Sequence, residues 1–197
     1  MATTFLRLVI VGLIGLVGSW LGCVSAHAES SHAGLVALYD FANDQGQVVR
    51  DSSGVGQALD LRISEMKNVR REVGALHIRG KTVVRSDKPA TKIINAIRES
   101  GELTIEVWCQ SQKVDQDGPA RVVTISRDTS NRNVTLGQDK DKWDFRLRTT
   151  RTSSNGIPSL PGAGKSVSTE LTHIVAVRDR SGTATIYVNG KQSAQRR

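Results

Sequence analysis

Residues 103–110 read LTIEVWCQ. Leu103, Ile105, Val107 and Cys109 fall on one parity, and Thr104, Glu106, Trp108 and Gln110 fall on the other. Successive side chains of an extended chain point to opposite faces, so this octet has an apolar face and a polar one and reads as a half-buried strand. The same period of two recurs in both directions along the chain. It marks strands over residues 34–41, 58–63 and 75–78 before the octet. After it come 121–126, 133–137, 143–149, 171–178 and 183–188, with a short one over 191–194. Only DKPATKIINAIRES, residues 87–100, reads as a brief helical turn, with Ile93, Ile94 and Ile97 on one side. Many short strands with polar, Gly-rich turns and no long amphipathic helix predict an all-β fold, an antiparallel β-sandwich or jelly roll, rather than βαβ units.

The turns support this reading. Asp51-Ser52-Ser53-Gly54 is a turn signal, as is Asp179-Arg180-Ser181-Gly182 between the last two long strands. Asn189-Gly190 suits the positive backbone angles of a type I′ hairpin turn. Only seven residues follow Gly190, and Gln195, Arg196 and Arg197 are polar. A sandwich buries both inner faces, and an unpaired edge exposes backbone donors and acceptors. The expectation is therefore a sandwich incomplete at its C terminus, the alternative being that a short edge strand ends it.

At the other end, Arg7 is followed by an apolar run from Leu8 to Leu21 and then by Ala26-His27-Ala28. That order is a secretory signal peptide over residues 1–28, cleaved after Ala28, followed by a short linker over 29–33 and one domain over 34–197. The run is too short for a membrane span, which needs about twenty residues, and no second apolar stretch follows it. Leu21-Gly22-Cys23 has the look of a lipidation site, with Trp20 where such a site usually carries Leu. The chain is expected to work outside the cytoplasm, secreted, periplasmic or attached to the cell surface. Past residue 28 the sole cysteine is Cys109, so no internal disulfide staples the domain. The net charge of +8 comes from basic residues scattered over strands and loops, with few aromatics between them. Nucleic-acid grooves need clustered charge and stacking rings, so that class of partner is excluded.

Catalytic patterns are weak. His77 and His173 read as packed or edge imidazoles, no Gly-x-Ser-x-Gly elbow accompanies them, and Cys109 alternates with core residues. Trp143 alternates with Phe145 and Leu147 and reads as packing. Trp108 shares its face with Thr104, Glu106 and Gln110, polar company that suits stacking on a sugar ring, although packing is the competing reading.

The segments GLVALYDFANDQGQVVRDSSG, GELTIEVWCQSQ, GPARVVTISRD, NVTLGQDKDKWDFRLRTT and THIVAVRDRSGTATIYVNG together resemble the laminin G-like domain of the concanavalin A-like lectin/glucanase superfamily, in its bacterial secreted form. The resemblance runs from about Gly34 to Gly190. It implies a jelly roll of two antiparallel sheets, with further strands beyond the YVNG hairpin, one of which returns beside the first strand. Glucanases of this superfamily carry acidic residues at alternate positions of one strand. Here Glu102 and Glu106 share a face, but four residues of extended chain separate them by roughly 13 Å, against about 5–10 Å for paired glycosidase carboxylates. Some laminin G-like domains bind one calcium ion, and Asp44, Asp51, Asp139 and Asp141 are the candidate ligands, all in acidic turns. The expected function is a non-catalytic recognition or adhesion module that binds carbohydrate or a cell-surface protein through rim loops, with Trp108, Glu106 and Gln110 as ligand-binding candidates. The alternatives are a structural spacer without a small ligand and a glycoside hydrolase.

Overall fold

The computed structural model describes residues 7–11, 34–42 and 45–197. In chain order the strands are β1 (Arg7–Val11), β2 (Leu35–Tyr39), β3 (Val48–Val49), β4 (Leu61–Ile63), β5 (Val69–Glu72), β6 (Ala75–Ile78), β7 (Val84–Ser86) and β8 (Leu103–Cys109). They continue as β9 (Gln116–Ser126), β10 (Arg132–Lys140), β11 (Lys142–Leu147), β12 (Leu160–Pro161), β13 (Thr172–Arg178), β14 (Ala184–Val188) and β15 (Lys191–Arg196). The α-helix α1 spans Thr91–Ser100.

Two sheets carry the architecture, and every strand pairing in them is antiparallel. The larger runs β15-β14-β13-β8-β1-β2 and the smaller β12-β11-β10-β9, with a three-stranded β3-β4-β7 sheet and a β5-β6 hairpin beside them. Leu103, Ile105, Val107, Ile174, Ala176 and Ile186 of the larger sheet join Val134, Leu136, Trp143 and Phe145 of the smaller in one apolar core. This is the predominantly antiparallel architecture of a β-sandwich. Alternation along β8 produces it directly: Leu103, Ile105, Val107 and Cys109 are all buried, and the residues between them are half-exposed. Trp143 is buried as expected, its indole N–H donating to the Ser166 carbonyl at 3.0 Å.

The helix is longer than a brief turn. Ile93 and Ile97, one turn apart, reach the core with Ala96, whereas Ile94 is only half-buried. Gly101 ends the helix at φ 71°, its N–H donating to the Ile97 carbonyl at 2.9 Å, the left-handed cap that glycine adopts without Cβ strain.

At the C terminus, Asn189 (φ 50°) and Gly190 (φ 75°) form the expected tight turn, and β15 runs six residues antiparallel to β14. Its free edge is tied to the smaller sheet. Ser193 Oγ accepts the Ala163 amide at 2.9 Å, and the Arg196 guanidinium donates to the Ser159 carbonyl next to β12. Residues 7–11, expected within a leader, lie in the middle of the larger sheet as β1, between β8 and β2. A run of Leu, Val and Ile with β-branched residues suits a strand as readily as a leader's apolar stretch. The remainder of residues 1–33 lies outside the described residues.

Asp51 fastens β2 from its other side. One carboxylate oxygen accepts the Leu38 and Ser53 amides at 3.2 and 3.1 Å, and the other accepts the Leu59 amide at 2.9 Å and the Lys92 ammonium of α1. The Asp51 side chain is wholly buried and that of Lys92 nearly so. Burial pushes the carboxyl pKa up, but the Lys92 ammonium, the Leu59 and Leu38 amides and the Ser53 side chain outweigh it and bring it from 3.8 to about 2. A depressed carboxylate stabilises the fold above its unfolded pKa, and that contribution is lost as pH falls through the folded value. Stability against urea, followed by tryptophan fluorescence, is expected to fall as pH drops from about 4 to 2, with Asp51→Asn flattening that slope by about 2 kcal/mol. Lys92→Ala, which leaves the buried charge unpaired, is expected to cost about 3 kcal/mol at neutral pH.

Candidate functional site

The outward row of β8 meets that of β13. His173 is the direct cross-strand neighbour of Trp108, and Val175 that of Glu106. On the far side of β13, Tyr187 stands opposite Val175. Inward residues of the same strands, Val107, Ile174, Ala176 and Ile186, are buried, so this outward row faces away from the core.

His173 joins two of the sequence candidates. Its imidazole stacks on the Trp108 indole with centroids 4.1 Å apart and planes 19° apart. Its Nε2 lies 2.8 Å from Glu106 Oε1, and both side chains are a little over one-quarter exposed. The contact is diagonal across the strand pair, within reach of long side chains. The hairpin turn holds the backbone beneath: the His173 amide donates to Asn189 Oδ1 at 3.0 Å, and the Asn189 amide donates to the His173 carbonyl at 2.8 Å. The tight turn at Asn189-Gly190 therefore positions this end of β13 as well as returning the chain. Gln110 lies just beyond β8, where its side-chain amide donates to the Thr169 carbonyl at 2.7 Å and ties the strand end to the segment before β13.

The arrangement is a paired-ring platform with an adjacent carboxylate acceptor. It lies on a sheet face, at the Trp108 end of β8 and the His173 end of β13, rather than on rim loops. His173 is the residue that sequence reasoning missed. Its parity in THIVAVR was visible, since Ile174 and Ala176 mark the inward face, but only the register of β13 against β8 places it over Trp108.

Residues 86–197 match the protein family described as the concanavalin A-like lectin/glucanases superfamily, in its laminin G-like form, which is more than half of the chain. The chain belongs to that superfamily. No curated protein and no solved structure matches it.

The other candidates of this lectin/glucanase-superfamily chain fall into separate places. Asp44 lies outside the described residues. Asp51 is the buried partner of Lys92. Asp139 is the next-to-last residue of β10 and Asp141 the turn residue between β10 and β11, where its Oδ2 accepts the Lys165 amide at 2.9 Å. Among the described residues, no three His, Cys, Asp or Glu side chains converge on a point where a metal ion would sit. His77 is buried and its Nε2 lies 3.0 Å from Glu72 Oε2. Cys109 is 2 % exposed, and burial pushes its thiol pKa up to about 12, which keeps it protonated and unreactive. In the native full chain, Cys109 is expected to resist a maleimide at pH 8 and to react within minutes once urea unfolds the protein, as followed by mass spectrometry. Rapid labelling under native conditions would place it outside the core.

Proposed function

We propose that this protein is a non-catalytic, extracytoplasmic recognition module that binds carbohydrate on the outward face of β8 and β13. The observation that carries the reading is the Trp108–His173–Glu106 arrangement. An indole held by a stacked imidazole loses little freedom on binding, and a broad π-face suits the apolar C–H face of a pyranose. Beside it, Glu106 offers carboxylate oxygens that accept sugar hydroxyls, and the imidazole, already engaged by Glu106, is fixed in orientation. Superfamily membership is consistent with this role, as is the sandwich scaffold. We read the fold as the jelly roll of the secreted laminin G-like form. The leader-like residues 1–28 support a location outside the cytoplasm, and among the described residues no helix is long and apolar enough to cross a membrane.

The carboxylates do not favour hydrolysis. Glu106 is engaged by His173, and Glu102, four residues earlier on the same face, is about 13 Å away along an extended strand, farther than a glycosidase pair.

A glycan array probed with the purified protein is expected to show saturable binding. Trp108→Ala is expected to weaken it at least about tenfold, or about 1.4 kcal/mol, with His173→Ala and Glu106→Gln weakening it less. Near-ultraviolet circular dichroism checks that each variant remains folded. Silence across the array, or binding indifferent to Trp108→Ala in a folded protein, would overturn this assignment in favour of a spacer or a site elsewhere.

A further inference from the structure

The outward face of the smaller sheet carries a second cluster, on the other side of the sandwich from Trp108. Strand register places it. Gly137 of β10 stands between Arg121 of β9 and Asp144 of β11, and Thr135, two residues away, stands between Thr124 and Arg146. Val134, Leu136 and Phe145, of the other parity, belong to the core, so this row faces away from it. Arg132 shares the parity of Val134, but an extra residue in β10 sets it opposite Ser126, which alternates with Thr124 on the outward side. Three guanidiniums therefore share one face, over a floor of two threonines and a glycine. Gly137 tolerates no side chain, since a Cβ there would lie 2.5 Å from the Ala120 carbonyl oxygen.

The charges on this face are not balanced. Asp144 is the carboxylate of the row, and its Oδ2 accepts the Arg146 Nε–H at 2.8 Å, with both side chains largely buried. Asp128, in the loop joining β9 to β10, is taken up by the Ser130 and Asn131 amides and by Arg127. Arg132 is 6 % exposed, and its Nη2 donates to the Thr129 carbonyl at 2.7 Å. Its Nε–H and its Nη1 amino group are buried and have no acceptor. Burial lowers its pKa, and the Arg121 and Arg146 charges lower it further. A guanidinium nevertheless keeps its proton in a protein, so Arg132 remains a buried cation with unmet donors, repelled by two more cations. An anion relieves both penalties at once.

We infer that the outward face of β9, β10 and β11 is an oxyanion-binding site, in which Arg132, Arg121 and Arg146 hold one carboxylate, sulfate or phosphate group. Arg132 supplies the fixed donors, its guanidinium anchored through the Thr129 carbonyl. Arg121 is exposed, so it is the member of the trio that moves to admit the ligand and then closes on it. Arg146, oriented by Asp144, adds charge from the third strand. Guanidinium donors match the geometry of oxyanions, and the charge on both partners strengthens each hydrogen bond. A neutral sugar would leave the repulsion among the arginines in place and a metal cation would add to it, so the class of ligand follows from the cluster itself. The site is independent of the Trp108 face, and the loss of either leaves the other intact.

The test follows the arginine Nε–H resonances of the full chain by NMR while sodium sulfate replaces sodium chloride at constant ionic strength, and again with sodium glucuronate. The Arg132 resonance, identified by its loss in Arg132→Gln, is expected to shift saturably at millimolar anion together with that of Arg121. Arg132→Gln is expected to abolish the shift at Arg121, and Arg121→Gln to weaken binding read at Arg132 at least about threefold. Near-ultraviolet circular dichroism checks the fold of each variant. If Arg132→Gln does not fold, Arg121→Gln, at an exposed position, decides the matter alone. Tighter binding of glucuronate than of sulfate would support the site and assign it a sugar-borne carboxylate. Tighter binding of sulfate would support it and assign a tetrahedral oxyanion. A drift that does not saturate with either anion, or saturable binding unchanged by both substitutions in folded proteins, would overturn the proposal.

Discussion

The two faces of β8 are the constraint on which the remainder of the structure depends. Its inward row, Leu103, Ile105, Val107 and Cys109, lies at or below 2 % exposure and meets the apolar row of the smaller sheet. Each buried aliphatic side chain of this size contributes about 1.5–3 kcal/mol relative to exposure. A one-residue slip would therefore expel four core residues and replace them with Thr104, Glu106, Trp108 and Gln110. The register is fixed by burial, and once fixed it dictates that Trp108 and Glu106 stand outward and that β13 delivers His173 beside them. Core packing and the candidate binding face are consequences of the same alternation.

Around that strand the two ends of the sheet are secured differently. The β15 edge is a modest structure, polar and short, but its bonds to Ala163 and Ser159 tie it to the opposite sheet. Such tethering occupies part of an edge that would otherwise be open to pairing with another chain. The β2 end depends on a buried ion pair with three amide donors, in which α1 supplies the cation. Between these secured ends, β1 joins β8 to β2.

Much of the fold was legible because burial imposes period two on the strands. Residues 103–110, 171–178 and 183–188 were readable to within a residue or two, and Asn189-Gly190 declared its turn through the backbone angles it can adopt. The strands β9 and β10 run longer than the alternation suggests, since register irregularities around Gly137 and Gln138 break the parity. At Gly137 a Cβ would lie 2.5 Å from the Ala120 carbonyl oxygen, a close approach that no pattern of apolar residues announces. The tethering of β15 was not legible, because hydrogen bonds to residues 159 and 163 are long-range and leave no trace in local sequence. The same limitation hid the neighbour of His173, whose parity was visible, and the pairing of Asp51 with Lys92, forty-one residues away.

The most direct measurement of the central claim is an isotope-edited NMR experiment on the full chain that records proton contacts of the Trp108 indole and the Val107 methyls. The pairing of β8 with β13 predicts contacts between the indole and the His173 imidazole, and between the Val107 methyls and those of Ile174. Indole contacts to the methyls of Ile174 or Leu136, with Val107 free of them, would show that β8 presents the opposite face to the core and would contradict the account.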